Sequence, residues 1–284
     1  MVKSTRSLRP KKIQRPAAAS RSLEKLYIRK ASPHGGYGWV PDFPDARDYA
    51  YAAPLFSFRR GLPSSVDLRS KCPPIYDQGQ LGSCTGNAIA GAIEFDQRKQ
   101  GAKEFVPSRL FIYYNERVIE GTVNQDAGAQ IRDGIKAVAK IGAPPETDWP
   151  YDITKFSQQP PDKAYQDAKQ DIVSSYARVA QSLSQMQGCL AAGYPFVFGF
   201  TVYESFESNE VASTGVVPMP GPGEKVLGGH AVVAVGYNNA KRAFIVRNSW
   251  GRRWGLKGYF LMPYEYLLTP DYADDFWTVR SVSG

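Results

Sequence analysis

The chain has 284 residues, 43% of them apolar and 22% charged, which is enough for a globular core of one large domain or two lobes. No apolar run approaches the roughly 20 residues that a membrane span needs, and three cysteines are too few for a disulfide-rich scaffold. The net charge of +8 is concentrated in residues 1–30, which hold ten Lys or Arg side chains and one acid, Glu24. The rest of the chain is close to neutral.

Residues 1–30 form a basic tail that lacks the apolar stretch of a secretory signal. We expect a disordered, solvated arm. Its Arg- and Ser-rich composition also suits a transit peptide, and clustered Lys and Arg can contact an anionic surface, either nucleic-acid phosphate or lipid. With no signal peptide or membrane span, the sequence favours a cytoplasmic monomer.

Residues 31–61 form a leader rich in Gly, Pro and aromatic residues, and the folded body is expected to begin at Leu62. The leader is too irregular for a helix and too aromatic for a solvated linker. We expect its aromatic side chains to lie along a surface in extended conformation. They are Trp39, Phe43, Tyr49 and Tyr51.

Helical patterns precede strand patterns in the body. Apolar residues at one-turn spacing predict helices at 88–95, 108–118 and 130–141, with Ser108 as an N-cap and Gly142 as a stop. After a shorter helix at 182–192, runs rich in Val, Ile, Phe and Tyr predict buried strands at 196–202, 231–237, 243–247 and 258–262. This order predicts an α+β protein with a helical lobe (about 70–170), a β lobe (about 171–284) and a site in the cleft between them.

A glycine-containing loop leads into the first helix and brings Cys84 to its start. There the free N–H groups and the helix dipole bias a thiol toward thiolate. Gln78, six residues upstream, supplies an amide that the loop can fold back toward the sulfur. A thiolate beside such a donor can attack a carbonyl and stabilise the resulting oxyanion.

His230 opens an apolar strand, and Asn248 follows the next strand in the run Asn-Ser-Trp-Gly. A lone His is more often a satisfied core or surface residue than a catalytic one. Here Asn248 can accept the ring N–H of His230 and fix its tautomer, while Trp250 shields that bond from water. A Cys–His pair needs such a third group to orient the base.

These motifs together resemble the papain-like cysteine peptidases over residues 62–284. His230 follows Cys84 by 146 residues and Asn248 follows His230 by 18, near the roughly 130–150 residues typical of that family. The resemblance implies a papain-like two-lobe fold with an antiparallel β-barrel-like second lobe. It also implies a peptidase without metal or cofactor that cuts peptide or protein substrates through an acyl-enzyme.

The resemblance also assigns residue roles. Cys84 would be the nucleophile and His230 its proton partner, with Asn248 orienting His230 and Gln78 donating to the oxyanion. Gly128 and Gly229, with Trp250, would line the substrate cleft. Asp274 would lie at the bottom of the pocket for the side chain two before the cleaved bond, where it would favour Arg if it points inward. The alternative is that Asp274 and Asp275 are solvated turn acids.

Several features depart from the family pattern. Thr85 stands where Trp is usual, and Leu81 stands where the family has a disulfide-forming Cys. The long helical pro-domain is absent, as in short-leader bacterial members. The leader could therefore block the cleft or only cover apolar surface, and both interpretations stay open. A Cys72–Cys189 disulfide also stays open, and His34 is expected to be a loop residue without a catalytic part.

Two other functions fit the same fold. A papain-fold binding module would make no turnover, although such proteins usually lack the nucleophile or the His. An amide transferase would use the same acyl-enzyme with an acceptor other than water, and product analysis would distinguish it.

Overall fold

The computed structural model describes residues 32–53 and 61–282. The basic tail at 1–30 and residues 54–60 of the leader lie outside the described residues, so the expectations for them stay predictions. Four helices dominate the first part of the body, and the three long ones confirm the predicted helices. They are α1 (Cys84–Gln100), α2 (Arg109–Glu120), α3 (Ile131–Ile141) and α4 (Asp162–Ala168).

The second part of the body is built on one antiparallel sheet whose strands include all four predicted ones. The strands are β1 (Ser65–Asp67), β2 (Val173–Arg178), β3 (Phe196–Tyr203), β4 (Val226–Asn238), β5 (Ala243–Arg247), β6 (Tyr259–Pro263) and β7 (Ala273–Val282). Their order is β2-β7-β3-β4-β5-β6, with β1 paired to β4. Within the described residues β2 and β6 are not neighbours, so the sheet does not close into a barrel.

Shorter helices connect the strands. They are α5 (Leu183–Ala191), α6 (Asn209–Thr214) and α7 (Tyr264–Leu268), with 3-10 turns at Arg69–Lys71, Ile153–Lys155 and Glu204–Glu207. The sequence predicted α5 but not β7, because its Asp-Asp pair looked like a turn. No helix in the described ranges is both long and apolar enough to cross a bilayer.

Helix α1 joins the two lobes. It packs against α2 and α3 on one side and against β4 and β7 on the other. Gly86 makes the α1–α2 approach possible, because a Cβ there would lie 2.8 Å from the Arg109 carbonyl oxygen. Almost the whole of α1 is buried, and its first residue, Cys84, lies where the helical lobe meets the sheet.

Candidate active site

Cys84 begins α1 and is fully buried. The loop before it turns at Gly79, which has a φ of 59°, in the left-handed region that favours glycine. The backbone N–H of Gln78, just before this turn, donates to the Ser249 carbonyl oxygen at 2.9 Å, so the loop is tied to the segment after β5. The predicted nucleophile therefore lies at a helix N-terminus, where an anion is favoured.

His230 lies on β4 opposite Phe200 of β3. Its Nε2 is 2.8 Å from Asn248 Oδ1, and because an amide oxygen only accepts, Nε2 must carry the proton. Nδ1 is buried and has no hydrogen-bond partner among the described residues, so its lone pair is available to take a proton. The Trp250 ring stacks on His230 at 4.8 Å and covers this pair. Burial lowers the pKa of His230 to about 4, against a smaller opposing effect of Asn248.

The side-chain amide of Gln78 is fixed at both ends. Its Oε1 accepts from Ser249 Oγ at 2.6 Å, which orients Nε2 as a donor. Nε2 donates to the Leu81 carbonyl oxygen at 2.9 Å and to that of Gly36 at 3.0 Å. The predicted oxyanion donor, Gln78 Nε2, thus already binds a peptide carbonyl of the leader, that of Gly36.

Over residues 32–40, which we call the cleft segment, the leader lies between Gly229 of the β lobe and Ala129 of the helical lobe. Backbone hydrogen bonds hold it on both walls. Gly38 N and Trp39 N both donate to the Gly229 oxygen at 2.9 Å, Val40 N donates to the Ala129 oxygen at 3.0 Å, and Ala129 N donates to the Gly38 oxygen at 2.7 Å. Trp39 and Ala129 form a parallel bridge.

Glycines allow the cleft segment to come this close. A Cβ on Gly38 would lie 1.7 Å from the Gly82 carbonyl oxygen, and one on Gly36 would lie 2.4 Å from that of Leu81. On the same helical-lobe side, where Gly82 N donates to Asp126, Gly128 has a φ of 75° and a Cβ there would lie 2.2 Å from the Gly38 oxygen. Gly128, Gly229 and Trp250, all predicted to line the cleft, therefore contact or closely approach the cleft segment.

Asp274 is not the inward-facing acid of its pair. Its side chain is 47% exposed and accepts from Arg178 Nη2 at 2.8 Å. Asp275 is instead fully buried and accepts from Trp39 Nε1 at 3.0 Å. The reason is a local irregularity: Asp275 has a φ of 59°, and the pairing of β7 with β3 shifts register here, which exchanges the directions of neighbouring side chains. This corrects both expectations, because Asp274 does not point inward and Asp275 is not solvated.

Beyond the cleft the leader continues as an arm, residues 42–53, on the surface of the body. Asp48 forms a buried ion pair with Arg132 Nη2 at 2.5 Å. The Asp42 carboxylate accepts from the backbone N–H of Arg132 at 3.1 Å, which caps α3 where Gln130 provides no side-chain cap. Tyr51 is buried, whereas Phe43 and Tyr49 are exposed, so the predicted aromatic surface is only partly covered.

The departures from the family pattern have local explanations. Thr85 Oγ1 donates to Glu116 Oε2 at 2.6 Å inside the helical lobe, where burial raises the pKa of Glu116 well above its usual value. Cys72 and Cys189 are buried thiols and form no disulfide. Each lies near a local carbonyl oxygen at 3.5 Å, that of Leu68 for Cys72 and that of Tyr194 for Cys189.

Sequence reasoning missed two acids that contact the cleft segment, Asp275 and Glu207. Asp275 was seen but assigned to a turn. Glu207 ends the 3-10 turn after β3, and its Oε1 accepts from Ser32 Oγ at 2.7 Å and from the Tyr37 hydroxyl. No local pattern marks such a residue, because its partners are 170 or more positions away. Within the described ranges no group of His, Cys, Asp and Glu side chains could hold a metal ion.

The comparisons with known proteins agree with this geometry. The profile of the papain family cysteine proteases matches residues 62–267. An uncharacterized peptidase C1-like protein of Acanthamoeba polyphaga mimivirus is 49% identical over 73% of this chain and 70% of its own length. A probable cysteine protease of Arabidopsis thaliana is 30% identical over 71% of this chain, which spans only 42% of that protein.

A solved structure is also similar. Xylellain, a cysteine protease from Xylella fastidiosa, is 45% identical and superposes with a TM-score of 0.82, covering 89% of this chain and 98% of its own. Its coverage of this chain exceeds the 62–267 match, so the likeness includes residues outside that range. The chain belongs to the papain family of cysteine proteases.

Proposed function

We propose that this chain hydrolyses peptide bonds through Cys84, His230 and Asn248, with Gln78 as an oxyanion donor, and that the cleft segment holds it latent. The main support is the hydrogen bond from Gln78 Nε2 to the Gly36 carbonyl oxygen, because a peptide carbonyl already lies at the proposed oxyanion donor. The 2.8 Å contact between His230 and Asn248 fixes the tautomer that the chemistry requires.

Acylation begins with proton transfer from Cys84 Sγ to His230 Nδ1. The thiolate then attacks the carbonyl carbon of the substrate, and the oxyanion accepts hydrogen bonds from Gln78 Nε2 and the Cys84 N–H. The C–N bond breaks as the imidazolium returns its proton to the departing amine. A thioester remains on Cys84.

Deacylation repeats the sequence with water as the nucleophile. His230 Nδ1 takes a proton from water as its oxygen attacks the thioester carbonyl, and the same two donors stabilise the second oxyanion. Collapse of this intermediate releases the carboxylic acid, and the thiolate recovers its proton from His230. Each step needs His230 to be accessible to substrate or water.

The cleft segment opposes this chemistry in two ways. It fills the space that a substrate backbone needs along Gly229 and Ala129. It also keeps His230 dry and neutral, because burial lowers the pKa of the imidazole to about 4. A thiolate–imidazolium pair is disfavoured while the segment stays in place.

The direction of the cleft segment explains why it is not itself a substrate. In a papain-like cleft the acyl part of a substrate pairs with the glycine wall, so those residues precede the scissile carbonyl. Here the wall contact is made by Trp39, which follows Gly36, and the bridge to Ala129 is parallel. The chain therefore runs opposite to a substrate and presents its amine on the wrong side for departure.

The test uses full-length protein and an opened full-length variant, Gly38→Val. A valine side chain at this position would meet the Gly82 carbonyl oxygen, since even its Cβ would lie 1.7 Å away. An epoxide reagent selective for thiol peptidases is added, and adducts are located by mass spectrometry. Gly221→Val is the matched control, because a Cβ there approaches only the Glu224 side chain, at 3.3 Å.

We expect Gly38→Val to be labelled at Cys84 about a hundredfold faster than the wild type, as loss of some three net hydrogen bonds implies. Gly221→Val should behave as the wild type, and Cys84→Ala should not be labelled. Equal labelling of wild type and Gly38→Val would refute latency but keep the peptidase. If neither is labelled, the catalytic proposal fails and a binding module replaces it. Analysis of the products formed from a peptide substrate tests the transferase alternative, because amide products rather than acids would indicate a transferase.

A further inference from the structure

The carboxylate of Glu207 lies beside the cleft segment, and within the described residues its hydrogen bonds and its ion-pair contact are all with the leader. Oε1 accepts from Ser32 Oγ at 2.7 Å and from the Tyr37 hydroxyl, and Oε2 lies 3.9 Å from His34 Nε2. The side chain is only 10% exposed. Within the described residues, the body donates no side-chain or backbone hydrogen bond to this carboxylate, and Oε2 accepts none at all.

The Tyr37 ring shows where this carboxylate lies relative to the proposed chemistry. It sits 6.5 Å from the His230 ring and 6.2 Å from Trp250, and its hydroxyl reaches Glu207. Phe206, next in the chain, packs on Trp250 at 5.7 Å. One side chain, Tyr37, therefore contacts the Glu207 carboxylate and packs near the His230 ring.

This position is on the leaving-group side of the cleft. The glycine wall, with Gly128 and Ala129, pairs with the part of the leader that follows Gly36. Ser32 and His34, which contact Glu207, precede Gly36, and the His34 ring stacks on Trp250 at 6.1 Å. Tyr37 follows Gly36, but its ring also lies beside Trp250, at 6.2 Å. A substrate with its acyl residues on the wall would place the residues after its scissile bond beside Glu207.

In the latent chain Glu207 is a nearly buried carboxylate whose hydrogen-bond donors are the neutral hydroxyl groups of Ser32 and Tyr37. When the cleft segment leaves, those donors leave with it, and the carboxylate is an unpaired anion at the edge of the opened cleft, where it attracts a cation. Tyr37 and Ser32 satisfy one oxygen without neutralising the charge. A cationic side chain would satisfy both oxygens, with shorter and stronger hydrogen bonds.

We propose that Glu207 forms a subsite that selects substrates with a basic side chain, Arg or Lys, just after the scissile bond. The role of Glu207 in substrate selection rests on the proposed peptidase function, but the preference of its carboxylate for a cation does not. In the latent chain Tyr37 occupies this subsite as a neutral substitute. Arrival of a basic substrate residue then competes directly with the contact that helps to hold the cleft segment.

The first test asks in the intact chain whether the subsite prefers a cation. Tyr37→Lys and Tyr37→Met place side chains of similar length there, one charged and one neutral, each with and without Glu207→Gln. The readout is amide hydrogen exchange at Gly38, Trp39 and Val40, which reports opening of the cleft segment and needs no catalysis. With Glu207 present we expect exchange in Tyr37→Lys to be about tenfold slower than in Tyr37→Met, the value of one charge-assisted hydrogen bond.

The difference should disappear when Glu207→Gln is added. Equal exchange of the two variants with Glu207 present, or a difference that survives Glu207→Gln, would overturn the proposal. Neither result depends on whether the protein is a peptidase, so failure of the subsite and failure of the proposed function are distinguishable.

The second test concerns substrates and uses the opened Gly38→Val chain carrying Cys84→Ala. Fluorescent peptides that differ only in Arg or citrulline after the expected scissile bond are compared by Kd, because citrulline keeps the shape of Arg without its charge. We expect the Arg peptide to bind about tenfold tighter, and Glu207→Gln to reduce the ratio to about one. Equal binding of the two peptides would overturn the proposal; the same ratio in kcat/KM with Cys84 restored would extend it to turnover.

Discussion

The cleft segment and the arm adjoin each other in the leader, but different chemistry holds them to the body. The cleft segment is held mainly by backbone hydrogen bonds, such as those from Gly38 and Trp39 to Gly229, and by the absence of a Cβ at its glycines. The arm is held by buried charges, of which the Asp48–Arg132 pair is the least exposed, with side chains 9% and 6% accessible.

This difference in chemistry determines which groups of the body lose their partners when the cleft segment or the arm is removed. A substrate backbone can take over the hydrogen bonds of the cleft segment, because any extended peptide carries the same groups. No substrate can replace Asp48, and without the arm the Arg132 guanidinium would lose the acceptors that the described residues give it, the Asp48 carboxylate and the Phe43 carbonyl oxygen. The cleft segment is therefore suited to leave, and the arm is suited to stay with the body.

Two truncations give the largest expected difference between the two parts. Deleting residues 1–61 removes Asp48 and the Asp42 cap, and breaking such a buried pair costs about 3–5 kcal/mol, out of a total stability of about 5–15 kcal/mol. Deleting residues 1–40 keeps both. Urea unfolding should show the 1–61 deletion to be severely destabilised and the 1–40 deletion nearly as stable as the full chain.

Arg132→Leu provides the control for this comparison. In the 1–61 deletion it removes the unpaired charge and should recover part of the lost stability. In the full chain the same substitution should be destabilising, because it removes the closer of the two cations beside Asp48 and leaves Arg178 Nη1 at 3.6 Å. Equal stability of the two deletions would mean that the arm, like the cleft segment, is dispensable to the fold.

Two buried aromatic residues allow the cleft segment and the arm to be compared by single substitutions, because Trp39 lies in the cleft segment and Tyr51 lies in the arm. Trp39 is 4% exposed and Tyr51 is 6% exposed. Trp39→Ala should speed epoxide labelling of Cys84 by about a hundredfold, since an aromatic truncation costs about 3 kcal/mol of closure. Tyr51→Ala should cost a similar free energy of unfolding and leave the labelling rate unchanged.

The expectation is contradicted if Trp39→Ala and Tyr51→Ala have the same effect on labelling or on stability. If Tyr51→Ala also speeds labelling, the arm and the cleft segment open as one unit. If Trp39→Ala lowers global stability as much as Tyr51→Ala does, the cleft segment is part of the folded core.

The His230 ring reports the cleft segment alone. Its pKa, lowered by burial to about 4 from 6.5, should rise in Gly38→Val by about two units as water enters. Because the folded pKa is depressed, this histidine's contribution to stability is complete above pH 6.5 and is lost as the pH falls toward 4. NMR titration checks the shift, with His34→Gln to assign the two histidines; an unchanged pKa would show that the segment does not exclude water.

The sequence was sufficient for the elements that carry strong local patterns. The apolar spacing after Cys84 predicted α1, and the order of Cys84, His230 and Asn248 identified the family before any geometry was available. These residues are recognisable because the chemistry and the helix period each impose a pattern on adjacent positions.

The contacts of the leader were not predictable in the same way. Glu207 and Asp275 meet the leader across 170 or more positions, and Asp275 faces inward because β7 is irregular beside β3. The sequence could not decide whether the leader blocks the cleft or packs on the body. In the structure residues 38–40 hydrogen-bond to Gly229 and Ala129, whereas Asp42 and Asp48 of the arm bind Arg132, and no local pattern separates the two parts.

The smallest expected effect concerns an ion pair within the arm itself. Asp45 and Arg47 are 2.7 Å apart, but Arg47 is 87% exposed, and both belong to the arm. Asp45→Asn should therefore leave the unfolding midpoint and the labelling rate nearly unchanged, because the pair with Arg47 lies within the arm and the contact with Lys136 of the body is long, at 3.9 Å, with the Lys136 side chain 43% exposed. Asp48→Asn, three residues later, makes the same chemical change at a buried pair and should lower the midpoint clearly. If both substitutions lower it equally, the arm is held by its overall charge near the body rather than by the burial of one pair, and its retention after removal of the cleft segment would depend on ionic strength.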